Sequence, residues 1–225
     1  MHIFLLNVPA MIDNMDDYIN MLSYQRAEKV KRLKNAKSKL ANIFSELMIK
    51  YLVNKELSID YDKIQFNCNQ YGKPHVMGLE NFHYNISHSA DYIVCAVHKK
   101  SIGIDMERVR NININISERF FSKYEYNYIN QREDKTQAFF DIWTLKESII
   151  KADGRGMNIP LSSFSAVDCN YNIKTVSQDI GHEYFLKQYN NVLHDYKIAV
   201  CSPDDNFEDK IVNLDYKDLL KKGKS

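Results

Sequence analysis

Residues 102–107 read Ile-Gly-Ile-Asp-Met-Glu, and this stretch decides how the rest of the chain is interpreted. Its three apolar side chains alternate with a glycine and two acids, which predicts a β-strand that buries the apolar set. On such a strand Asp105 and Glu107 share one face and lie about 7 Å apart along it. Two carboxylates at that spacing are too far apart to share a proton, but they are well placed to hold one hard cation between them.

Residues 143–151, Trp-Thr-Leu-Lys-Glu-Ser-Ile-Ile-Lys, are predicted to be helical and to carry the partners of these acids. In a helix, Trp143, Glu147 and Lys151 occupy positions i, i+4 and i+8 and project along one side. If this helix packs on the strand, three acids and a lysine meet. We interpret that combination as a site for a divalent metal ion carrying a phosphate ester.

The composition narrows the classes of partner. The chain has 225 residues, and its 30 Lys and Arg nearly balance its 29 Asp and Glu, so neither nucleic acid nor a membrane is expected as the main partner. No apolar run is long enough to span a bilayer. The four cysteines are scattered without the CxxC spacing of a zinc site, which predicts reduced thiols and a cytoplasmic location.

Two segments, residues 38–53 and 136–152, have the apolar period of long core helices. The first follows and overlaps a basic run from Arg26 to Lys39, which has two interpretations. A solvated helix face is the ordinary one. A site for an anionic ligand is the other, because Arg26 and Lys29 are three residues apart and can point at the same phosphate.

Two further segments contain candidate ligand contacts. Residues 71–74, Tyr-Gly-Lys-Pro, are predicted to form a rigid turn in which Lys73 either meets a phosphate or is simply exposed. Ser87, His88 and Ser89 end a short strand. Nucleophilic catalysis is not favoured there, because no Gly-x-Ser-x-Gly elbow surrounds the serine. Contact with a ligand phosphate and a purely structural histidine stay open as alternatives.

Several strands complete the outline. Tyr92–Val97 and Ile102–Met106 are predicted to form a hairpin across residues 98–101. Beyond residue 160, alternating patterns predict strands at Phe164–Val167, Glu183–Leu186 and Tyr196–Cys201.

Five motifs together resemble those of the Sfp-type 4′-phosphopantetheinyl transferases. They are Tyr-Gly-Lys-Pro at 71–74, Asn-Ile-Ser-His-Ser at 85–89, Gly-Ile-Asp-Met-Glu at 103–107, Arg-Phe-Phe-Ser at 119–122, and the helix at 143–151 with Gly-Arg-Gly at 154–156. Each motif is common alone, but their order and spacing are specific. The resemblance implies an enzyme that moves the phosphopantetheine arm of coenzyme A onto a serine of an acyl or peptidyl carrier protein. It also implies Mg²⁺ as cofactor and adenosine 3′,5′-bisphosphate as the released product.

The same resemblance implies roles for individual residues. The metal ligands would be Asp105, Glu107 and Glu147, and either Glu147 or a metal-bound water would accept the proton of the attacking serine. Lys151 would contact the attacked phosphate. The coenzyme A contacts would be Arg26, Lys29, Lys73, Pro74, Ser87, His88 and Lys151. This chain departs from the family pattern at one point. The family has an arginine early in the first long helix, whereas residues 38–41 of this chain offer Lys39 or no equivalent.

The fold implied by the resemblance is α+β, with two similar halves related by a pseudo-twofold axis, each a small antiparallel sheet packed on a long helix. Residues 1–108 would form the N-terminal half and residues 109–225 the C-terminal half of a monomer. The carrier protein, from fatty-acid, polyketide or nonribosomal peptide synthesis, would dock near Phe120, Phe121 and Tyr124.

Two other functions are compatible with the residues. A Mg²⁺-dependent hydrolase of nucleotide diphosphates would use the same acids with water as the nucleophile, and it would need no carrier protein. A non-catalytic module that binds coenzyme A or a carrier is the second alternative, and the intact set of three acids disfavours it.

Overall fold

The computed structural model describes residues 1–174, 181 and 183–220, and in them the chain has an α+β fold. The helices of this part are α1 (Met15–Ile19), α2 (Tyr24–Arg32), α3 (Ala36–Leu57), α4 (Ile116–Phe120), α5 (Lys123–Asn130) and α6 (Lys135–Asp153). Its strands are β1 (His2–Asn7), β2 (Phe66–Cys68), β3 (Pro74–Val76), β4 (His83–Ser89), β5 (Tyr92–His98), β6 (Gly103–Arg108), β7 (Phe185–Gln188), β8 (Tyr196–Ser202) and β9 (Ile211–Leu214).

The first sheet has the strand order β4-β5-β1-β9 and packs against the long helix α3. α3 begins where the side chain of Asn35 accepts a hydrogen bond from the backbone N–H of Ser38, and it ends at Ser58, which has a φ of 55°. Both long helices that the sequence predicts are therefore confirmed, with α3 extending a few residues beyond 38–53. The apolar side of α3 forms a core with β1, β4 and β5.

The second sheet has the order β6-β8-β7 and packs against α6. Gly103 on β6 lies directly against the backbone of α6. A Cβ atom there would overlap the carbonyl oxygen of Ser148 and the backbone nitrogen of Ala152. Only glycine permits this contact between the two backbones. Because Asp105 is two residues further along the same face, the contact also sets its distance from α6.

Strands β4 and β6 run side by side where the two sheets meet. The side-chain oxygen of Asn85 accepts a hydrogen bond of 2.9 Å from the backbone N–H of Ile104, and the hydroxyl of Ser89 accepts one of 3.0 Å from that of Arg108. Side chains of β4 therefore accept hydrogen bonds from backbone N–H groups on the edge of β6. These bonds join the two sheets although β4 and β6 do not pair through their backbones.

Two of the strand predictions are wrong. The hairpin predicted between Tyr92–Val97 and Ile102–Met106 does not form, because β5 pairs with β4 and β1 whereas β6 crosses to the other sheet and pairs with β8. The strand predicted at Phe164–Val167 is reduced to one isolated bridge between Val167 and Ile173. The strand predicted at Tyr196–Cys201 is confirmed as β8.

Strand β9 was not predicted, and it pairs in parallel with β1, so residues 211–214 join the first sheet. The boundary near residue 108 remains a prediction, and residues 175–180, 182 and 221–225 of the predicted C-terminal half lie outside the described residues. Within the described part, no helix has the length and apolar character needed to cross a bilayer.

Candidate functional site

Asp105 lies where β4, β6 and α6 converge. The ammonium group of Lys151 donates hydrogen bonds to Asp105 Oδ1 at 2.7 Å and to the hydroxyl oxygen of Ser87 at 3.0 Å. The hydroxyl of Ser87 in turn donates to the same Oδ1 at 2.8 Å. The strand and the helix that the sequence predicts to meet are therefore in contact through these three side chains.

Glu147 and Glu107 flank this centre. Burial, followed by the negative charge of Asp105, raises the pKa of Glu147 above its ordinary value, while Lys151 opposes the shift and Glu107 adds to it. Glu107 Oε2 accepts hydrogen bonds from Ser89 Oγ at 2.9 Å and from Arg110 Nη1 at 3.0 Å. The three acids thus lie close enough to influence one another electrostatically.

The three carboxylates do not form a preassembled metal site as the side chains stand. Among the described residues, no group of three His, Cys, Asp or Glu side chains is arranged to hold a metal ion. One oxygen of Asp105 is nevertheless suited to bind a metal ion. Asp105 Oδ2 is buried and has no hydrogen-bond partner within the described part of the chain. A buried, unsatisfied carboxylate oxygen is costly unless a ligand completes it, and an all-oxygen donor set suits Mg²⁺.

A cavity of about 470 Å³ opens on the other side of β4. Of the predicted coenzyme A contacts, Arg26, Lys29, Pro74 and His88 line this cavity. His88 and Ser87 are neighbours on one strand, so their side chains point to opposite faces. His88 therefore faces the cavity, and Ser87 faces Asp105 and Lys151.

The cations of the cavity influence one another. Burial and the nearby positive charge of Arg26 lower the pKa of Lys29. Burial, then the charges of Lys151 and Lys29, lower the pKa of His88. Burial beside other positive groups makes the charged forms of Lys29 and His88 costly, and an anionic ligand would offset that cost.

Arg26 is held in place by two side chains of α3 that the sequence did not single out. Its Nη1 donates to Asn42 Oδ1 at 3.0 Å, and its Nε lies 3.5 Å from Glu46 Oε2. Glu46 is 4% exposed and also accepts hydrogen bonds from the backbone N–H and hydroxyl of Ser23, the N-cap of α2. The position of Glu46, an acid in the middle of an otherwise apolar helix, could have indicated from the sequence that it has a buried partner.

Lys73 lies away from the cavity lining, at the C-terminal end of α6. Its ammonium group donates to the carbonyl oxygens of Ala152 at 2.9 Å and Ile102 at 3.1 Å, and to Ser101 Oγ at 3.3 Å. The nearby Asn69 side chain donates to the carbonyl of Gly154 at 3.1 Å. The turn at residues 71–74 is thereby fixed to the helix that carries Glu147 and Lys151. The contact of Lys73 with a phosphate stays a prediction.

We expect Lys73 to make stability rise with pH in the alkaline range. Burial lowers the pKa of Lys73 to about 8, from an ordinary value of 10.5. Between these values the unfolded chain binds the proton more tightly than the folded chain, so the free energy of unfolding increases with pH. From pH 8 to 10.5, wild type should gain roughly 2 kcal/mol relative to a Lys73→Met variant.

Urea denaturation of both proteins across this pH range measures the difference. Lys99→Met, at an exposed lysine on the loop after β5, controls for the loss of one positive charge. A difference between wild type and Lys73→Met that does not change with pH would contradict the expected titration.

The predicted docking segment is only partly at the surface. Phe121 is 5% exposed and stacks on Phe139 with ring centroids 5.3 Å apart, so its ring belongs to the core. Docking of a carrier near this segment stays a prediction. Phe120 and Tyr124 are 41% and 47% exposed. Trp143 also stacks on Phe139, with ring centroids 5.9 Å apart, and so packs against the same aromatic cluster.

A fully buried ion pair links this segment to α6. Lys146 and Glu125 are both 0% exposed, and the ammonium group lies 2.8 and 2.7 Å from the two carboxylate oxygens. Lys146 also donates to the carbonyl of Phe164 at 2.7 Å, and Glu125 accepts from the backbone N–H of Ala166 at 2.8 Å. The residue before Glu147 in the sequence therefore holds α5 and the loop at 164–166 against α6.

Two family models and three relatives that match this chain carry the same family description. Residues 101–201 match the family described as the 4′-phosphopantetheinyl transferase superfamily, and residues 10–100 match the family described as 4′-phosphopantetheinyl transferase, N-terminal. The chain is 30% identical over 215 residues to 4′-phosphopantetheinyl transferase Sfp of Bacillus subtilis (strain 168), covering 94% of this chain and 96% of that protein. A 4′-phosphopantetheinyl transferase of Bacillus subtilis is 34% identical with the same coverage, and the gsp transferase of Aneurinibacillus migulanus is 35% identical over 80% of this chain and 76% of its own length.

Proposed function

The chain belongs to the 4′-phosphopantetheinyl transferase superfamily, and from this premise we propose how its residues perform the reaction. It is an enzyme that transfers the phosphopantetheine arm of coenzyme A to a carrier protein. The observation that carries the mechanism is the contact of Lys151 with Asp105 and Ser87, beside a cavity lined by cations.

The cavity is the proposed site for the nucleotide end of coenzyme A. Arg26 and Lys29 would face its 3′-phosphate, His88 would contact the phosphates from β4, and Pro74 would border the adenine. The lowered pKa values of Lys29 and His88 support this assignment, because a bound phosphate would offset both the burial and the neighbouring positive charge that lower them.

Asp105, Glu107 and Glu147 are the proposed Mg²⁺ ligands. The unpartnered Oδ2 of Asp105 and the raised pKa of Glu147 support them. Bound Mg²⁺ would screen the negative charge of the diphosphate. Lys151 donates to Oδ1 of Asp105, so its ammonium group lies beside a proposed metal ligand and could contact the diphosphate.

The proposed reaction is a displacement at phosphorus. The hydroxyl oxygen of the carrier serine forms a bond to the phosphorus that bears the pantetheine arm, and the bond from that phosphorus to the bridging oxygen breaks. Adenosine 3′,5′-bisphosphate leaves with the bonding electron pair. Glu147 is the proposed acceptor of the serine proton. Lys151 stabilises the charge that develops on the phosphate oxygens.

The remaining proposals concern the carrier and the symmetry of the fold. Phe120 and Tyr124 would contact the carrier, since both rings are exposed on the segment that Lys146 and Glu125 hold in place. The enzyme would act as a monomer. One long helix packed on one sheet in each half supports a pseudo-twofold relation between α3 and α6.

The nucleotide product distinguishes transfer from the alternatives. With coenzyme A and Mg²⁺, chromatography should show adenosine 3′,5′-bisphosphate only when an apo carrier protein is present. Release of the bisphosphate without any carrier would indicate a hydrolase. Binding of coenzyme A with no product in either mixture would indicate a non-catalytic module.

A further inference from the structure

One side chain in the nucleotide cavity lacks the partner that its burial requires. The face of α3 that lines the cavity carries Asn42, Ser45, Glu46 and Ile49, the spacing of neighbours on one helix side. Ser45 is 7% exposed, and its hydroxyl oxygen has no hydrogen-bond partner among the residues that the structure describes.

The missing bond is unusual for a serine in a helix. A helical Ser or Thr hydroxyl commonly donates to the carbonyl one turn earlier, as Thr144 on α6 does to Phe140 at 2.9 Å. The other polar side chains on this face are satisfied, because Asn42 bonds to Arg26 and to the carbonyl of Ser38, and Glu46 bonds to Ser23. A buried hydroxyl left without a partner destabilises the folded chain.

The surroundings indicate which kind of ligand atom would satisfy this hydroxyl. Arg26 and Lys29 line the same cavity from α2, and His88 lines it from β4. Three groups that can carry positive charge around one space favour a phosphate group, whose oxygens are strong acceptors. A serine hydroxyl can donate its proton to such an oxygen without adding charge.

We infer that Ser45 recognises the phosphate at the 3′ position of coenzyme A by donating its hydroxyl hydrogen to a phosphate oxygen. This inference rests on the proposed function, since it places the nucleotide end of coenzyme A in this cavity. It adds a residue that helps the enzyme to distinguish coenzyme A from the same molecule without the 3′-phosphate.

Ser45→Ala tests the inference through two ligands and one stability measurement. Isothermal titration calorimetry should show coenzyme A binding weakened about tenfold, the size expected for one hydrogen bond to a charged group. Binding of 3′-dephospho-coenzyme A should change less than about twofold, because the partner of the hydroxyl is missing from that ligand. The melting temperature of the ligand-free variant should equal or exceed that of wild type, because the unsatisfied hydroxyl is gone.

Ser38→Ala is the matched control on the same helix, because the Ser38 hydroxyl bonds to Asn35 outside the cavity. This control should bind both ligands like wild type. Equal affinity of Ser45→Ala and wild type for coenzyme A would overturn the inference, and so would an equal loss for both ligands combined with a lower melting temperature. If wild type itself does not bind coenzyme A, the proposed function fails and the inference fails with it.

Discussion

Glu147→Gln is expected to lower the turnover number for phosphopantetheine transfer by about a thousandfold, within the range of general base catalysis. Glutamine keeps the size of the side chain but cannot accept the serine proton. It also removes the charge of a carboxyl whose pKa is raised by burial and by the neighbouring charges of Asp105 and Glu107. Binding of the carrier protein should be unchanged, because the exposed rings at Phe120 and Tyr124 lie on another segment.

The measurement is a steady-state assay of carrier modification, with carrier binding measured separately by fluorescence anisotropy. Glu133→Gln, at an exposed position just before α6, is the control for the loss of a negative charge and should keep wild-type turnover. Turnover of Glu147→Gln within a few fold of wild type would remove Glu147 from the mechanism.

Lys146→Met is expected to have the largest effect on stability, a loss of about 3–5 kcal/mol in the free energy of unfolding. Both members of the Lys146–Glu125 pair are 0% exposed, so the substitution leaves a carboxylate buried without its cation. Adding Glu125→Gln to this variant should recover part of the loss. The amide carries no charge, and its single oxygen can keep one of the two backbone bonds, which Ser122 donates to Oε2 and Ala166 to Oε1.

Equilibrium denaturation in urea measures all three proteins. Lys100→Met is the matched control, because Lys100 pairs with Asp204 at the surface with 60% of its side chain exposed, and it should cost less than about 1 kcal/mol. A loss for Lys146→Met no greater than that of the control would show that the buried pair contributes little. A large loss with no recovery in the double variant would show that the unpaired carboxylate is not its cause.

The local pattern at residues 102–107 predicted both the strand and the side of it that faces α6. Alternation is a property of neighbouring residues, and Gly103 at the helix contact followed by Asp105 is already visible in the sequence. The two long helices were predictable for the same reason, because an apolar period sustained over four or more turns is typical of a core helix.

The pairing of strands was harder to predict from the sequence, because it depends on residues far apart in the chain. β5 and β6 are consecutive, which favours a hairpin, yet β6 is bordered by β4 through the side chains of Asn85, Ser87 and Ser89. The alternation of polar residues in Asn-Ile-Ser-His-Ser indicates a strand with one polar face. It does not show that this face would contact a second sheet.

The same contrast holds for the site, where some residues could be predicted from the local sequence and others only from the packing of distant elements. The cations of the cavity could be selected by residue type, whereas Glu46 and Asn42, which hold Arg26, required the packing of α2 on α3. Ser122 and Glu125 have the spacing of a capping box. That spacing accounts for the backbone contact of Glu125 but gives no sign of its partner, Lys146.

The intact mass of an apo carrier protein after incubation with this enzyme, coenzyme A and Mg²⁺ tests the central proposal most directly. We predict a mass increase equal to one phosphopantetheine arm on the carrier serine, present with wild type and absent over the same period with Glu147→Gln. An unchanged carrier mass with wild type, across several acyl and peptidyl carriers, would contradict the proposal.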